Sequence, residues 1–474
     1  MTPQKTPPSN QKPETPEAHE AENRLRYRSR AERLAQGNAL RDRVPRQSHA
    51  RWSPRHAKER DPIAILQQSN EGRVPQLVPL RYGRMLRSPF TFYRGSAGLM
   101  AHDLATLPTT KVQVQACGDC HLVNFGLFAT PERRLVFDIN DFDETLPAPW
   151  EWDLKRLAAS YAVAARDSQL SDAKARDIAM ACVRSYREHL REYSRMSPLE
   201  VWYARMDVDW LIETAPDAAA RKRRQAYADA ARGRIIDHLF PKISAQVAGR
   251  PRLVDEPPVL FHVAEEGLEE RVREGLLLYR ESLPDERRVL FDRYRMEDFA
   301  MKVVGIGSVG TRCWIALFFS EENHPLLLQF KEANRSVLEP YTSKSVYDNQ
   351  GQRVVVGQRL MQSSSDIFLG WVRAPRGYDF FVRQLRDMKF SMPLEGASAQ
   401  QFERNAEICG WVLARAHAKS GDSATISGYL GKTDNFDVAI GKFAVAYADQ
   451  TERDHAALVK AVRAGRVEVL EEDV

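Results

Sequence analysis

The stretch Lys111-Val112-Gln113-Val114-Gln115 alternates polar and apolar side chains, the period of a half-buried strand. A second strand is expected at Leu135-Val136-Phe137-Asp138-Ile139, with Pro131 supplying the turn ahead of it. The period then lengthens. Leu154, Leu157, Ala158, Tyr161 and Ala165 recur at three and four residues, the stripe of an amphipathic helix that starts near Asp153. Helical patterning continues to about residue 295, with Leu268, Val272, Leu276 and Tyr279 on one face.

The pattern changes again after residue 298. Strands are expected at 299–304, 311–319 and 326–331, an antiparallel meander whose first turn is Gly305-Ile306-Gly307-Ser308-Val309-Gly310. Further strands are expected at 367–372 and 378–385, and helices at 399–419 and 436–464, with no internal repeat. At 474 residues and 43% hydrophobic content, the chain can bury a large core in two or more lobes. The expected division is an N-terminal arm at 1–60, a helical lobe at 61–298, a β-rich lobe at 299–392 and C-terminal helices at 393–474 that complete the helical lobe.

Charge and cysteine content narrow the class. Residues 1–23 are rich in Pro, Glu, Gln and Thr and hold too little apolar surface to offset the entropy of ordering, so they are expected to be unstructured. Between 24 and 60, twelve Arg and Lys residues face only Glu32, Asp42 and Glu59. A basic arm of this kind can meet RNA or a membrane surface, but packing on the protein's own acidic surface is favoured, because the net charge is only +5. No membrane span or secretion signal is evident, so a soluble cytoplasmic protein is expected, with ordered sequence beginning near Asp61. Five sparse cysteines argue against a disulfide framework.

The candidate chemistry lies in Gly118-Asp119-Cys120-His121-Leu122-Val123-Asn124, followed by Asp141-Phe142-Asp143-Glu144 and then Asp153-Leu154. Phosphoryl transfer needs one carboxylate near the attacking hydroxyl and oxygen ligands for Mg²⁺. Asp119, Asn124 and Asp141 have the side chains for those roles. A glycine loop between antiparallel strands covers nucleotide phosphates with its backbone N–H groups, which makes Gly305, Gly307, Ser308 and Gly310 candidate contacts. Taken alone, the same loop also reads as an ordinary hairpin bend. Lys331 closes the third strand of the meander, where its ammonium can reach the α and β phosphates. Such a lysine normally has an acidic partner; Glu332 and Glu339 are both candidates, and spacing does not choose between them.

Together these residues resemble the protein-kinase-like superfamily, in particular its aminoglycoside phosphotransferase and choline kinase branch. That branch carries His-Gly-Asp-x-His-x-x-Asn, an Asp-Phe or Asp-Trp metal motif and an Asp-Leu-Ala helix start. Cys117 stands where the leading His is usual and Lys155 where Ala is common. The resemblance implies a catalytic role for Asp119 and His121, Mg²⁺ ligation by Asn124, Asp141 and Asp143, and bracing of the catalytic loop by Asp153. It also implies ATP as cofactor and a small-molecule acceptor. Asp138 competes with Asp141 for the metal, with a less suitable spacing to Asp153. Because the glycine loop and Lys331 follow the catalytic loop, the implied architecture is an α+β, bilobal kinase-like fold in circularly permuted order. It has a large helical lobe and a small antiparallel β-rich lobe. Leu413-Ala414-Arg415-Ala416-His417 is similar to the helix that leads toward the catalytic loop in that branch. From about residue 35 onward the chain also resembles a bacterial domain-of-unknown-function family, number 2252. That resemblance rests on Arg81-Tyr82-Gly83-Arg84-Met85, Phe92-Tyr93-Arg94-Gly95 and Arg383-Gln384-Leu385-Arg386-Asp387-Met388-Lys389.

Other readings compete. Cys117-Gly118-Asp119-Cys120-His121 is a literal haem-attachment pattern, but haem explains neither Asn124 nor the later aspartates. A thioredoxin-like pair lacks its βαβ frame, and zinc lacks a second paired cluster. A non-catalytic ion-pair network is the strongest alternative. In it Arg84 and Arg94 would partner Asp141, Asp143 and Glu144, whose charges repel if buried without cations. A third reading keeps the nucleotide and transfers AMP to a protein.

Overall fold

The strands form four antiparallel sheets, described here from a computed structural model over residues 28–52, 60–247, 249–385, 387–393 and 396–470. β1 (Gln113–Ala116) pairs with β4 (Leu146–Pro149), and β2 (Phe125–Ala129) with β3 (Leu135–Ile139). β5 (Ser244–Val247) and β6 (Arg250–Leu253) form a hairpin. The largest sheet holds β7 (Leu260–Phe261), β8 (Arg295–Lys302), β9 (Cys313–Phe319), β10 (Pro325–Glu332), β11 (Gly370–Arg373) and β12 (Asp379–Gln384), in the order β11-β12-β10-β9-β8-β7. Helix outweighs strand, and the mixed α+β class holds.

The sheet begins earlier in the chain than the expected boundary at 299, which falls inside β8. β7 joins from residue 260, and the helix Leu268–Glu281 packs on β11. The helical pattern between 153 and 295 concealed these short strands because β7 spans only two residues, below the length at which alternation is legible.

The helix Trp150–Asp167 is buried on every side from Trp150 to Ala165. It starts three residues before Asp153 because Pro149 breaks β4 at its N-cap. Its polar side chains Glu151, Asp153, Lys155 and Arg156 are buried with the apolar ones. The helix lies among Asp172–Tyr193, Ala399–Ser420 and Asn435–Arg463, with Leu157, Ala158 and Ala162 in the shared core.

The N-terminal expectation needs correction. The helix Arg30–Arg43 is capped by Ser29 and Glu32 and packs against the helix Ser423–Leu430. Gly37 sits at the closest approach, where a Cβ would strike the Thr425 carbonyl. Arg41 donates to Tyr429 O at 2.8 Å and Arg46 to Leu430 O at 2.7 Å, so these basic side chains cap a helix C-terminus. Order therefore begins before Asp61; the unstructured stretch expected at 1–23 lies outside the described residues. Among the described residues no helix is long and apolar enough to cross a membrane.

Candidate functional site

β1 delivers the chain into Cys117-Gly118-Asp119, and Asp153 on the first turn of the Trp150–Asp167 helix holds that loop from below. Its carboxylate accepts the backbone N–H of Cys117 at 2.7 Å and of Gly118 at 3.0 Å, while His417 Nε2 lies 3.3 Å away. Gly118 has φ +81°, and a Cβ there would strike the Glu144 carbonyl. Cys117, Cys120 and Asp153 bring ligand-type atoms within 4.8 Å of one another. The two backbone N–H groups and His417 already occupy Asp153, so its carboxylate braces the loop.

Asp119 projects into a cavity of about 500 Å³. One carboxylate oxygen receives Arg156 Nε at 2.7 Å; the other lies 3.9 Å from His121 Nε2. Arg156 is itself buried against the Tyr93 ring, 4.5 Å from its centroid, and donates to the Tyr93 carbonyl. Burial opposes its charge, but Asp119 outweighs burial and raises the guanidinium above its ordinary value. Burial pushes His121 down to about 4, so its imidazole is neutral at pH 7. Its Nδ1 is buried without a hydrogen-bond partner. Asn124 donates its amide to the Asp119 carbonyl at 2.7 Å, leaving its Oδ1 as the atom for a cation.

β3 ends at Ile139, and the loop beyond it carries Asp141 and Asp143 to Lys331. Lys331 pairs with Asp143 and lies 3.9 Å from Asp141. Strand alternation places Gln329 and Lys331 on one face of β10. Arg383 stands directly opposite Gln329 on β12 and donates to it at 3.1 Å. The bridge between Leu127 and Phe390 brings Lys389 to the same place. Burial opposes ionisation of Asp141, yet Lys331, Arg383 and Lys389 outweigh it and hold this carboxyl below its ordinary value. Burial and then the charge of Asp141 push Asp143 up. Burial, followed by the charge of Arg383, pushes Lys389 down to about 7.

The glycine turn closes over this acidic pocket. Ser308 Oγ donates to Asp143 at 3.2 Å, and a Cβ built on Gly307 would lie 4.0 Å from Asp119 Oδ2. Val74 N–H donates to Gly310 O at 2.7 Å and Arg84 to Gly305 O at 2.6 Å, so the segment that includes Arg81-Tyr82-Gly83-Arg84-Met85 anchors the turn. Gly305, Gly307, Ser308, Asp119, His121, Asn124, Asp141 and Asp143 line one cavity. Gly310 does not; it packs against Arg73, and Lys331 stands behind its two aspartates.

Several expectations change. Lys331 is partnered by neither Glu332 nor Glu339: Glu332 turns to Arg312, and Glu339 accepts from Ser345 N–H outside the cavity lining. Asp138 is no competitor for a metal, because Arg415 binds it at 2.7 Å deep in the helical core. The cations near the acidic loop include Lys331, Arg383, Lys389, Arg353, which holds the Asp143 carbonyl at 2.8 Å, and Arg94, which lines the cavity within reach of the charges of Asp119 and Asp141; Arg84 donates to Gly305 O. Pattern reading missed Arg156, Arg353, Arg383 and Lys389. Arg156 alone had a local signal, three residues after Asp153 on the same helix.

Neither a curated protein nor a solved structure matches the chain. The chain belongs to the family described as Uncharacterized protein conserved in bacteria (DUF2252), whose profile matches residues 73–461.

Proposed function

We propose that this chain is a kinase-like phosphotransferase in circularly permuted order, moving the γ-phosphoryl group of Mg-ATP to a hydroxyl or amine of a small molecule. One observation carries the reading: Gly305, Gly307 and Ser308 of the glycine turn line one cavity with Asp119, Asn124, Asp141 and Asp143, and Lys331 pairs with Asp143 behind that lining, although about two hundred residues of chain separate the two motifs. Catalysis depends on position in space rather than chain order.

The donor set suits a hard divalent cation. Asn124, Asp141 and Asp143 offer oxygens, and Asp143 Oδ1 is buried with no hydrogen-bond partner. Mg²⁺ held there would neutralise phosphate charge. Gly305, Gly307 and Ser308 would cover the phosphates with backbone N–H groups, and Lys331, behind the cavity wall, would hold Asp141 ionised. Asp119 would orient the acceptor hydroxyl and receive its proton, with Arg156 fixing the carboxylate. Positioning and charge stabilisation are what phosphoryl transfer chiefly requires.

The clamp on Asp119 favours a second reading, a non-catalytic nucleotide-binding protein, because Arg156 already engages an oxygen of the carboxylate that would take the acceptor's proton. A thermal-shift screen with ATP, ADP, AMP and NAD, with and without Mg²⁺, separates the readings. Mg²⁺-dependent stabilisation by ATP, lost in Asp141→Ala, together with ADP release supports phosphoryl transfer. Stabilisation without turnover supports the second reading, pyrophosphate release supports AMP transfer, and no response to any nucleotide removes all three.

A further inference from the structure

A second cavity, of about 350 Å³, lies between the helix Arg30–Arg43 and the C-terminal ends of Asp172–Tyr193 and Ser423–Leu430. Six cations line it: Arg30, Arg41, Arg46, Arg191, Arg195 and Lys432. Among the described residues its lining includes no carboxylate.

Three of the six have structural partners. Arg30 donates to Ser194 O at 2.7 Å, Arg41 to Tyr429 O at 2.8 Å, and Arg46 to Leu430 O at 2.7 Å. Those carbonyls satisfy hydrogen bonds, but two helix ends supply only about half a negative charge each. Helix capping therefore accounts for these three and leaves most of the positive charge uncompensated. Arg191, Arg195 and Lys432 meet no carboxylate among the described residues, yet they face the same space. The crowding is unfavourable as it stands: burial, then the charge of Arg46, lowers Arg41 from its ordinary value.

We propose that this cavity is a binding site for a compact anion carrying two or more phosphate groups. Planar guanidinium forks match phosphate oxygens, and only a multiply charged ligand balances such a lining. The cavity volume falls in the small-molecule range, and its walls are three helices that enclose a pit rather than a track for a nucleic-acid backbone. The site shares no lining residue with the cavity around Asp119, so it stands independently of the function proposed above.

The test is calorimetric titration of the full chain with sodium tripolyphosphate, without divalent cations, at two salt concentrations. The wild type is expected to show saturable binding that weakens with salt. Arg191→Ala/Arg195→Ala and, separately, Lys432→Ala should weaken it by about tenfold or more at unchanged Tm. Asp141→Ala, in the other cavity, should leave it intact. Equal binding by the charge-removal variants, or no saturable binding by the wild type, overturns the proposal. So does binding of a single-stranded RNA oligonucleotide through these residues without binding of tripolyphosphate.

Discussion

Ser308 Oγ lies 3.2 Å from the Asp143 carboxylate, a contact across 165 positions of sequence that joins the glycine turn of the large sheet to the acidic loop after β3. The hydroxyl leaves the other carboxylate oxygen buried and without a partner.

Lys331→Met should destabilise the fold by about 3–5 kcal/mol, because it leaves Asp141 and Asp143 facing one another without their ammonium. Burial and the charge of Asp141 raise Asp143, so lowering the pH protonates it and relieves the repulsion. Thermal melts should therefore show a larger deficit at pH 7 than at pH 5. An equal deficit at both would show that lost packing, not charge, dominates.

Asp119→Asn should reduce turnover by roughly 10²-fold or more while leaving Mg-ATP stabilisation in place. The amide still accepts a hydrogen bond from Arg156, which separates chemistry from folding. Unchanged kcat would remove Asp119 from the reaction.

Glu144 gives a pH signature. Burial raises its carboxyl from 4.5 to about 7, against the hydrogen bond it accepts from Val337 N–H. The native state therefore holds this proton more tightly than the unfolded chain does, and stability falls as pH rises between 4.5 and about 7. Glu144→Gln removes that titration and still accepts from Val337. Relative to wild type it should match at pH 4.5 and gain on the order of 1–3 kcal/mol at pH 8, in denaturant titrations at both pH values. A variant that tracks wild type across this window would contradict the raised pKa.

Removal of residues 1–52 should lower Tm, because Arg41 and Arg46 leave carbonyls of Ser423–Leu430 without their caps and the Gly37 contact is lost. Caps contribute about 1 kcal/mol each. An unshifted melt would show that these contacts add nothing to stability.

Local pattern was sufficient for much of this molecule. Short β-rich runs located β3, β9, β10 and β12, helical patterning located Ala399–Ser420 and Asn435–Arg463 within a residue or two, and the spacing from Gly118 to Asp153 picked out side chains that line one cavity or support it. These are properties of a few consecutive residues, which the backbone periods of strand and helix make readable in one dimension. The partner of Lys331, the clamp of Arg156 on Asp119, the burial of Asp138 under Arg415 and the docking of Arg30–Arg43 depended on where distant segments come to rest. A charged side chain takes the nearest opposite charge in space once water is excluded, and the fold, not the spacing along the chain, decides which one that is.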